Sequence, residues 1–199
     1  SRPCRTDTLT VAVTALGDLD GPAVLRSGAR EGDTVAIAGE LGGAARGLRL
    51  LFTRFRDAEG RPVPVDVQAL TDAERKDIAA QLRPHPPIAL GPRAAAAGAH
   101  AMMDVSDGLV LDATRLADAS GVTIALDTQA LGPDAETALS GGEDHALLAS
   151  FAAHLDLPEG FRRIGTVLPR GEHPVTVDGA SPADRGGWDP YADWDAGRG

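Results

Sequence analysis

Met103-Asp104-Val105-Ser106-Asp107-Gly108-Leu109 joins a strand-like stretch, residues 100–105, to a pattern in which Leu109, Ala113, Leu116 and Ala117 share one helical face. Two carboxylates and a hydroxyl fall within four positions at that strand-to-helix junction. On extended backbone Asp104 and Ser106 point the same way. Asp107 follows where the first amides of a helix lack partners inside the helix. The junction offers hard oxygen ligands for Mg²⁺ and amide donors for phosphate. The same residue types also serve as ordinary helix caps, and the heptapeptide alone does not separate the two readings.

Outward from this junction, strands and helices interleave. Residues 33–39 read as a short strand, and Gly42-Gly43 opens a helix. Along that helix Ala44, Leu48, Leu51, Phe52 and Phe55 form a stripe expected to face the core. Thr71 with Glu74 three residues on is a capping box for a helix through Ile78 and Leu82, ended before Pro84. Pro84, Pro86, Pro87 and Pro92 punctuate a stiff linker before a helical stretch over residues 94–99. Ser120-Gly121 ends the helix that starts at Leu109, and a strand occupies 122–126. Residues 146–151 are apolar enough for a buried strand or short helix. Further strands follow at 161–168 and 174–177, with Asp178-Gly179 a hairpin-type turn. Residues 8–16 read as a strand. The class is therefore α/β (α+β), a mixed sheet covered by helices.

Composition narrows the function. The 199 residues carry 19 Lys+Arg against 29 Asp+Glu, a net charge of −10, so neither nucleic acid nor an anionic membrane is an expected partner. Aromatics make up 4% of the chain, so the core is built from Ala, Val, Leu and Ile. Cys4 is the only cysteine, which excludes an internal disulfide and a cysteine zinc site. The five histidines show no metal-site spacing. No run approaches the ~18 apolar residues of a membrane span. A cytoplasmic protein is expected.

Two more stretches carry chemistry. Arg26-Ser27-Gly28-Ala29-Arg30-Glu31-Gly32-Asp33 sets an arginine, suited to gripping phosphate oxygens, beside glycines that permit close backbone approach. Ser140-Gly141-Gly142-Glu143-Asp144 is a glycine loop followed by paired acids, which can meet a cationic ligand. Neither a Walker loop nor a kinase glycine loop is present. Each stretch alone is also compatible with an ordinary polar turn. The tail holds Trp188, Tyr191 and Trp194, an unusual share of the chain's few large rings, and is expected to dock.

In this order and at these separations, the stretches resemble the thiamine-monophosphate kinase family, within the group typified by aminoimidazole ribonucleotide synthetase. The match covers residues 9–16, 25–33 with Gly42-Gly43, 103–109, 140–144 and the final Gly187-Trp188-Asp189. The resemblance implies ATP-dependent phosphorylation of thiamine monophosphate to thiamine diphosphate, with Mg²⁺. It implies Asp104 and Asp107 as Mg²⁺ ligands, Arg26 and Ser106 as ATP contacts, and Glu143 and Trp188 as contacts to the thiamine substrate, with no catalytic nucleophile or base. A homodimer paired through N-terminal domains is implied for the whole protein.

Against that pattern, residues 1–19 are expected to hold the last strand of an N-terminal ATP- and Mg²⁺-binding domain, and residues 20–199 the C-terminal domain. The carboxylates the family carries upstream have no counterpart here, so the chain by itself is expected to be inactive. The other readings are a related ATP-using synthetase of the same group, or a non-catalytic module that binds nucleotide or thiamine phosphate.

Overall fold

A computed structural model describes residues 11–19, 21–182 and 186–187. Six strands form one sheet: β1 (Thr34–Ala38), β2 (Ala101–Val105), β3 (Thr123–Leu126), β4 (Ala146–Phe151), β5 (Phe161–Leu168) and β6 (Val175–Val177). Their spatial order is β2-β4-β1-β5-β3-β6. Every neighbouring pair is antiparallel except β3 and β6. Between β1 and β5 the register slips, so that Val35 faces Gly165 while Ala36 faces Arg163. The extra residue, Ile164, bends the sheet locally.

Side chains alternate across β1, as period-two geometry requires. Val35 and Ile37 join Leu148, Ile164, Val167, Ile124 and Val175 on one face. That face is covered by α4 (Leu109–Ser120) through Leu109, Ala113, Leu116 and Ala117. Ala36 and Ala38 lie on the other face with Ala149, Phe151 and Phe161, under Ala94 of α3 (Leu90–Ala96). Two short helices, α5 (Thr128–Leu131) and α6 (Ala135–Ser140), fill the crossing from β3 to β4. Sequence patterning marks neither, because four and six residues are too few to show a helical period.

Outside the sheet, α1 (Gly43–Arg54) packs on α2 (Asp72–Leu82), with Phe55, Leu70 and Ile78 as a small separate core. The stripe expected to be buried on α1 is only partly so: Ala44 and Phe55 are buried and Leu51 packs against the small core, but its middle is not. Leu48 is 42% exposed and Phe52 57%. The buried face of α1 is instead Gly43, Ala44 and Gly47. A Cβ on Gly47 would strike the Asp77 carbonyl, so the helices meet backbone to backbone along the small residues. Phe52 turns outward under the guanidinium of Arg56, 4.2 Å from its ring centre.

The helix expected at 94–99 begins four residues earlier. Pro92 falls in its first turn, where a missing N–H costs nothing, and Gly98 at φ +81° follows its end. Residues 146–151 settle as strand. The strand expected over residues 8–16 is not formed in its described part: 11–16 carry no strand, and Val13 is 87% exposed. A strand needs a neighbour to satisfy its backbone groups. No strand of the sheet lies against this segment. Among the described residues no helix is long and apolar enough to cross a membrane.

Candidate functional site

Strand β2 is an edge strand, and Asp104 stands near its C-terminal end with its side chain 55% exposed. The turn that follows is held in an unexpected way. Helix α4 has Gly108 at its N-cap (φ 136°, ψ 142°), and no side chain caps it from that position. Neither Ser106 nor Asp107 acts as an ordinary helix cap. A residue inside the helix reaches back instead. Asp112 Oδ2 accepts the backbone N–H groups of both Ser106 and Asp107 at 3.0 Å. Its other oxygen accepts Arg115 Nη1 at 2.7 Å, and the same nitrogen donates to Asp107 Oδ2.

Asp112 is 0% exposed. Burial pushes its carboxyl above the usual range, against the amide bonds and Arg115, which favour the charged form. The Ser106 and Asp107 amides are therefore occupied by Asp112, which leaves the anion-donor expectation to the first amides of α4 itself. What the turn leaves accessible is the partly exposed Asp107 carboxylate, the Ser106 hydroxyl and Asp104.

The Ser140–Asp144 loop is wedged between this turn and the start of α1. A Cβ on Gly142 would collide with the Ser106 carbonyl, and one on Gly141 would crowd Gly42 and Ala45. Two adjacent residues thus lack side chains because backbone presses on each from a different element. The Glu143 N–H donates to the Ser106 carbonyl at 2.8 Å, tying the loop to the turn. Glu143 and His145 both take the left-handed conformation, at φ 70° and 54°. The Glu143 carboxylate stays exposed. The His145 ring lies between acids, with Nδ1 3.5 Å from Asp104 and Nε2 4.0 Å from Glu143.

Asp144 turns the other way. Its Oδ1 accepts the Ala44 N–H at 2.8 Å and so caps α1, while its Oδ2 is buried without a hydrogen-bond partner. Burial raises its carboxyl above the ordinary range. The loop therefore divides its labour: Glu143 faces solvent beside Asp104, and Asp144 serves the fold.

Ser106, Asp107, Asp104 and Glu143 are thus brought together. Arg26 is not. Its carbonyl accepts from Ser120 Oγ at 3.0 Å, and Ser120 Oγ in turn accepts the Ala29 N–H at 3.2 Å. Ser120 is the last residue of α4, whose N-terminus bears the Asp107 turn. A helix of this length spans ~17 Å, more than one side chain bridges. The loop is further pinned by Asp33, buried, whose carboxylate meets His100 Nδ1 at 2.9 Å and accepts the Arg30 N–H. Trp188, Tyr191 and Trp194 lie outside the described residues. The chain approaches them at Gly187, whose backbone lies against the Asp107 carbonyl.

Sequence reasoning missed Asp112 and Arg115. The one available signal is an Asp five residues after Asp107 with an Arg three further on, a spacing shared by many solvated helix faces.

Among the described residues, no group of three or more His, Cys, Asp or Glu side chains is gathered as a metal site. Asp104 and Asp107 are hard oxygen donors, and Mg²⁺ is commonly held by one or two carboxylates, with waters and substrate phosphates completing the shell. The donor set suits that ion.

No family model matches the chain. It is 42% identical over 200 residues to a thiamine-monophosphate kinase of Mycobacterium tuberculosis, covering 92% of this chain and 53% of the relative. It is 40% identical to that of Corynebacterium glutamicum, over 92% and 56%. The chain spans about half the length of the curated relatives it matches. Among solved structures it resembles AaThiL complexed with AMPPCP and TMP, with a TM-score of 0.69 and 34% identity over 83% of this chain and 53% of that one. It also resembles thiamine monophosphate kinase from Stenotrophomonas maltophilia, with a TM-score of 0.64 and 32% identity over 81% and 55%. The mixed sheet with its helices is the fold of these enzymes.

Proposed function

We propose, from its similarity to thiamine-monophosphate kinases, that this chain is part of an enzyme transferring the γ-phosphoryl group of ATP to thiamine monophosphate. The observation that carries the reading is the juxtaposition of Asp104, Ser106 and Asp107 with Glu143 around one turn. It is supported by a similar structure complexed with AMPPCP, a non-hydrolysable ATP analogue, and TMP.

Asp104 and Asp107 hold Mg²⁺ in this reading. The ion screens the repulsion between the two phosphates that must meet. The acceptor is a phosphate oxygen, already ionised, so the chain supplies no general base; it binds and orients. Ser106 donates its hydroxyl to nucleotide phosphate. Arg26, at the far end of α4, meets the same nucleotide only if the ligand lies extended along the helix. Glu143 offers a carboxylate to the cationic thiazolium or the aminopyrimidine, and Trp188 an aromatic wall to the same group. The full-length protein is a homodimer in the cytoplasm. Residues 1–19 belong to a preceding domain that completes the site, and residues 20–199 form the C-terminal domain.

The test is turnover of ATP and thiamine monophosphate by the full-length protein and by its Asp107→Asn variant. Thiamine diphosphate from the wild type, and loss of nearly all product in a variant that melts normally, is the expected result. A wild-type protein that binds ATP but leaves thiamine monophosphate untouched would refute the assignment.

A further inference from the structure

Two carboxylates are deeply buried among the described residues, Asp33 and Asp112. Asp33 meets a histidine at the loop before β1. Asp112 sits beneath the proposed metal turn, and the phosphoryl-transfer chemistry assigns it nothing. We propose that Asp112 is a positioning residue, which fixes Ser106 and Asp107 in the arrangement that receives a divalent cation and nucleotide phosphate. The inference rests on the reading of Asp104 and Asp107 as metal ligands.

Three features support it. One oxygen takes the N–H groups of two successive residues, so it sets the orientation of two consecutive peptide planes. The other oxygen holds Arg115, whose Nη1 also holds the Asp107 carboxylate, so Asp112 acts on the side chain of Asp107 as well as on its backbone. And the junction that follows is Gly108, at a φ of 136° that few other residues adopt, so no side chain of its own restrains the turn there.

Stability alone is a poor explanation for this residue. A buried charge must be stripped of water, and well-packed apolar residues often serve a core as well or better. The three hydrogen bonds of Asp112 all point to the site or to the arginine that steadies it. This is the relation that outer partners bear to metal ligands elsewhere, where their loss weakens binding without removing a ligand.

The experiment uses the full-length protein with Mn²⁺ as an electron-paramagnetic stand-in for Mg²⁺, comparing wild type, Asp107→Asn and Asp112→Asn. The expected result is a Mn²⁺ Kd raised about 10–100-fold in a folded Asp112→Asn variant, accompanied by a higher KM for ATP and an unchanged KM for thiamine monophosphate. Hydrogen exchange of the metal-free wild type supplies a readout that needs no variant: the Ser106 and Asp107 amides should exchange far more slowly than exposed loop amides. A folded Asp112→Asn variant that binds Mn²⁺ like the wild type, while Asp107→Asn does not, overturns the inference and leaves the metal site standing. Equal Mn²⁺ binding by wild type and Asp107→Asn removes the metal reading, and this inference with it. Fast exchange at both amides also overturns it.

Discussion

Helices α1 and α2 pack against each other, yet their first turns are stabilised in opposite ways. The start of α2 is closed by its own neighbours: the Glu74 N–H donates to Thr71 Oγ1 at 3.2 Å, and the Thr71 N–H donates to Glu74 at 2.8 Å. The start of α1 is closed by Asp144, 100 positions along the chain. The local cap is solvated, and hydrogen bonding from Thr71 holds the Glu74 carboxyl below its usual range. The distant cap is half-buried, and burial drives the Asp144 carboxyl upward. The start of α4 combines the two: Asp112 is a near neighbour in sequence, as in α2, yet it is fully buried, and a glycine stands at the N-cap. A cap made by neighbours stabilises a helix. A cap made across the fold also fixes where that helix stands relative to the site.

The difference can be measured. Asp112→Ala should cost the most, about 3 kcal/mol, because it strands two partly buried amides and half-unpairs Arg115. Urea unfolding should show a lowered midpoint with an unchanged slope. A loss under about 1 kcal/mol would mean that water or another side chain takes over. Asp144→Ala should cost about 1–2 kcal/mol by exposing the Ala44 amide, and should also displace the Ser140–Asp144 loop, visible as changed exchange at the Glu143 amide. Thr71→Ala should cost about 0.5–1 kcal/mol and leave exchange at the Glu143 amide as it was. If the loop responds equally to both substitutions, the contrast between local and distant caps fails.

Acid sharpens the comparison through signs. The folded-state pKa of Glu74 lies below its ordinary 4.5. Its contribution is complete above that value and is lost as pH falls through the folded pKa. Asp144 is raised above its ordinary 3.8, so its contribution is complete below that value and is lost as pH rises through the folded pKa. The melting-temperature gap between wild type and Glu74→Gln should therefore close on acidification, while the gap for Asp144→Asn should widen. Parallel pH profiles for the two variants would show that burial does not distinguish the caps.

Residues whose role is set by near neighbours were legible in the sequence. The capping box, the α4 face ending at Gly121 and the turn at Asp178-Gly179 appear where expected, the last with mutual hydrogen bonds between Val177 and Ala180. On α1 the stripe holds at its ends, Ala44 and Phe55, and fails at Leu48 and Phe52, because hydrophobicity alone does not decide burial. The helix turns its small residues inward, where α2 comes too close for a side chain. Within the site, the carboxylates and the glycine loop stood out by residue type. Their partners did not: Asp112 and Arg115 look like any exposed helical pair until the fold buries one of them.

By itself the sequence determined the alternation of strands and helices, the junction at residues 103–109 and the residue types able to meet a cation and a phosphate. These follow from backbone periodicity and from side-chain chemistry, which each stretch carries alone. Tertiary structure decided that Glu143 stands beside Asp104 while Asp144 caps α1, that the amides of the turn are taken by Asp112, and that Arg26 is held a helix length away. Those outcomes depend on which groups lose water and which backbones touch, and only the packed chain fixes both.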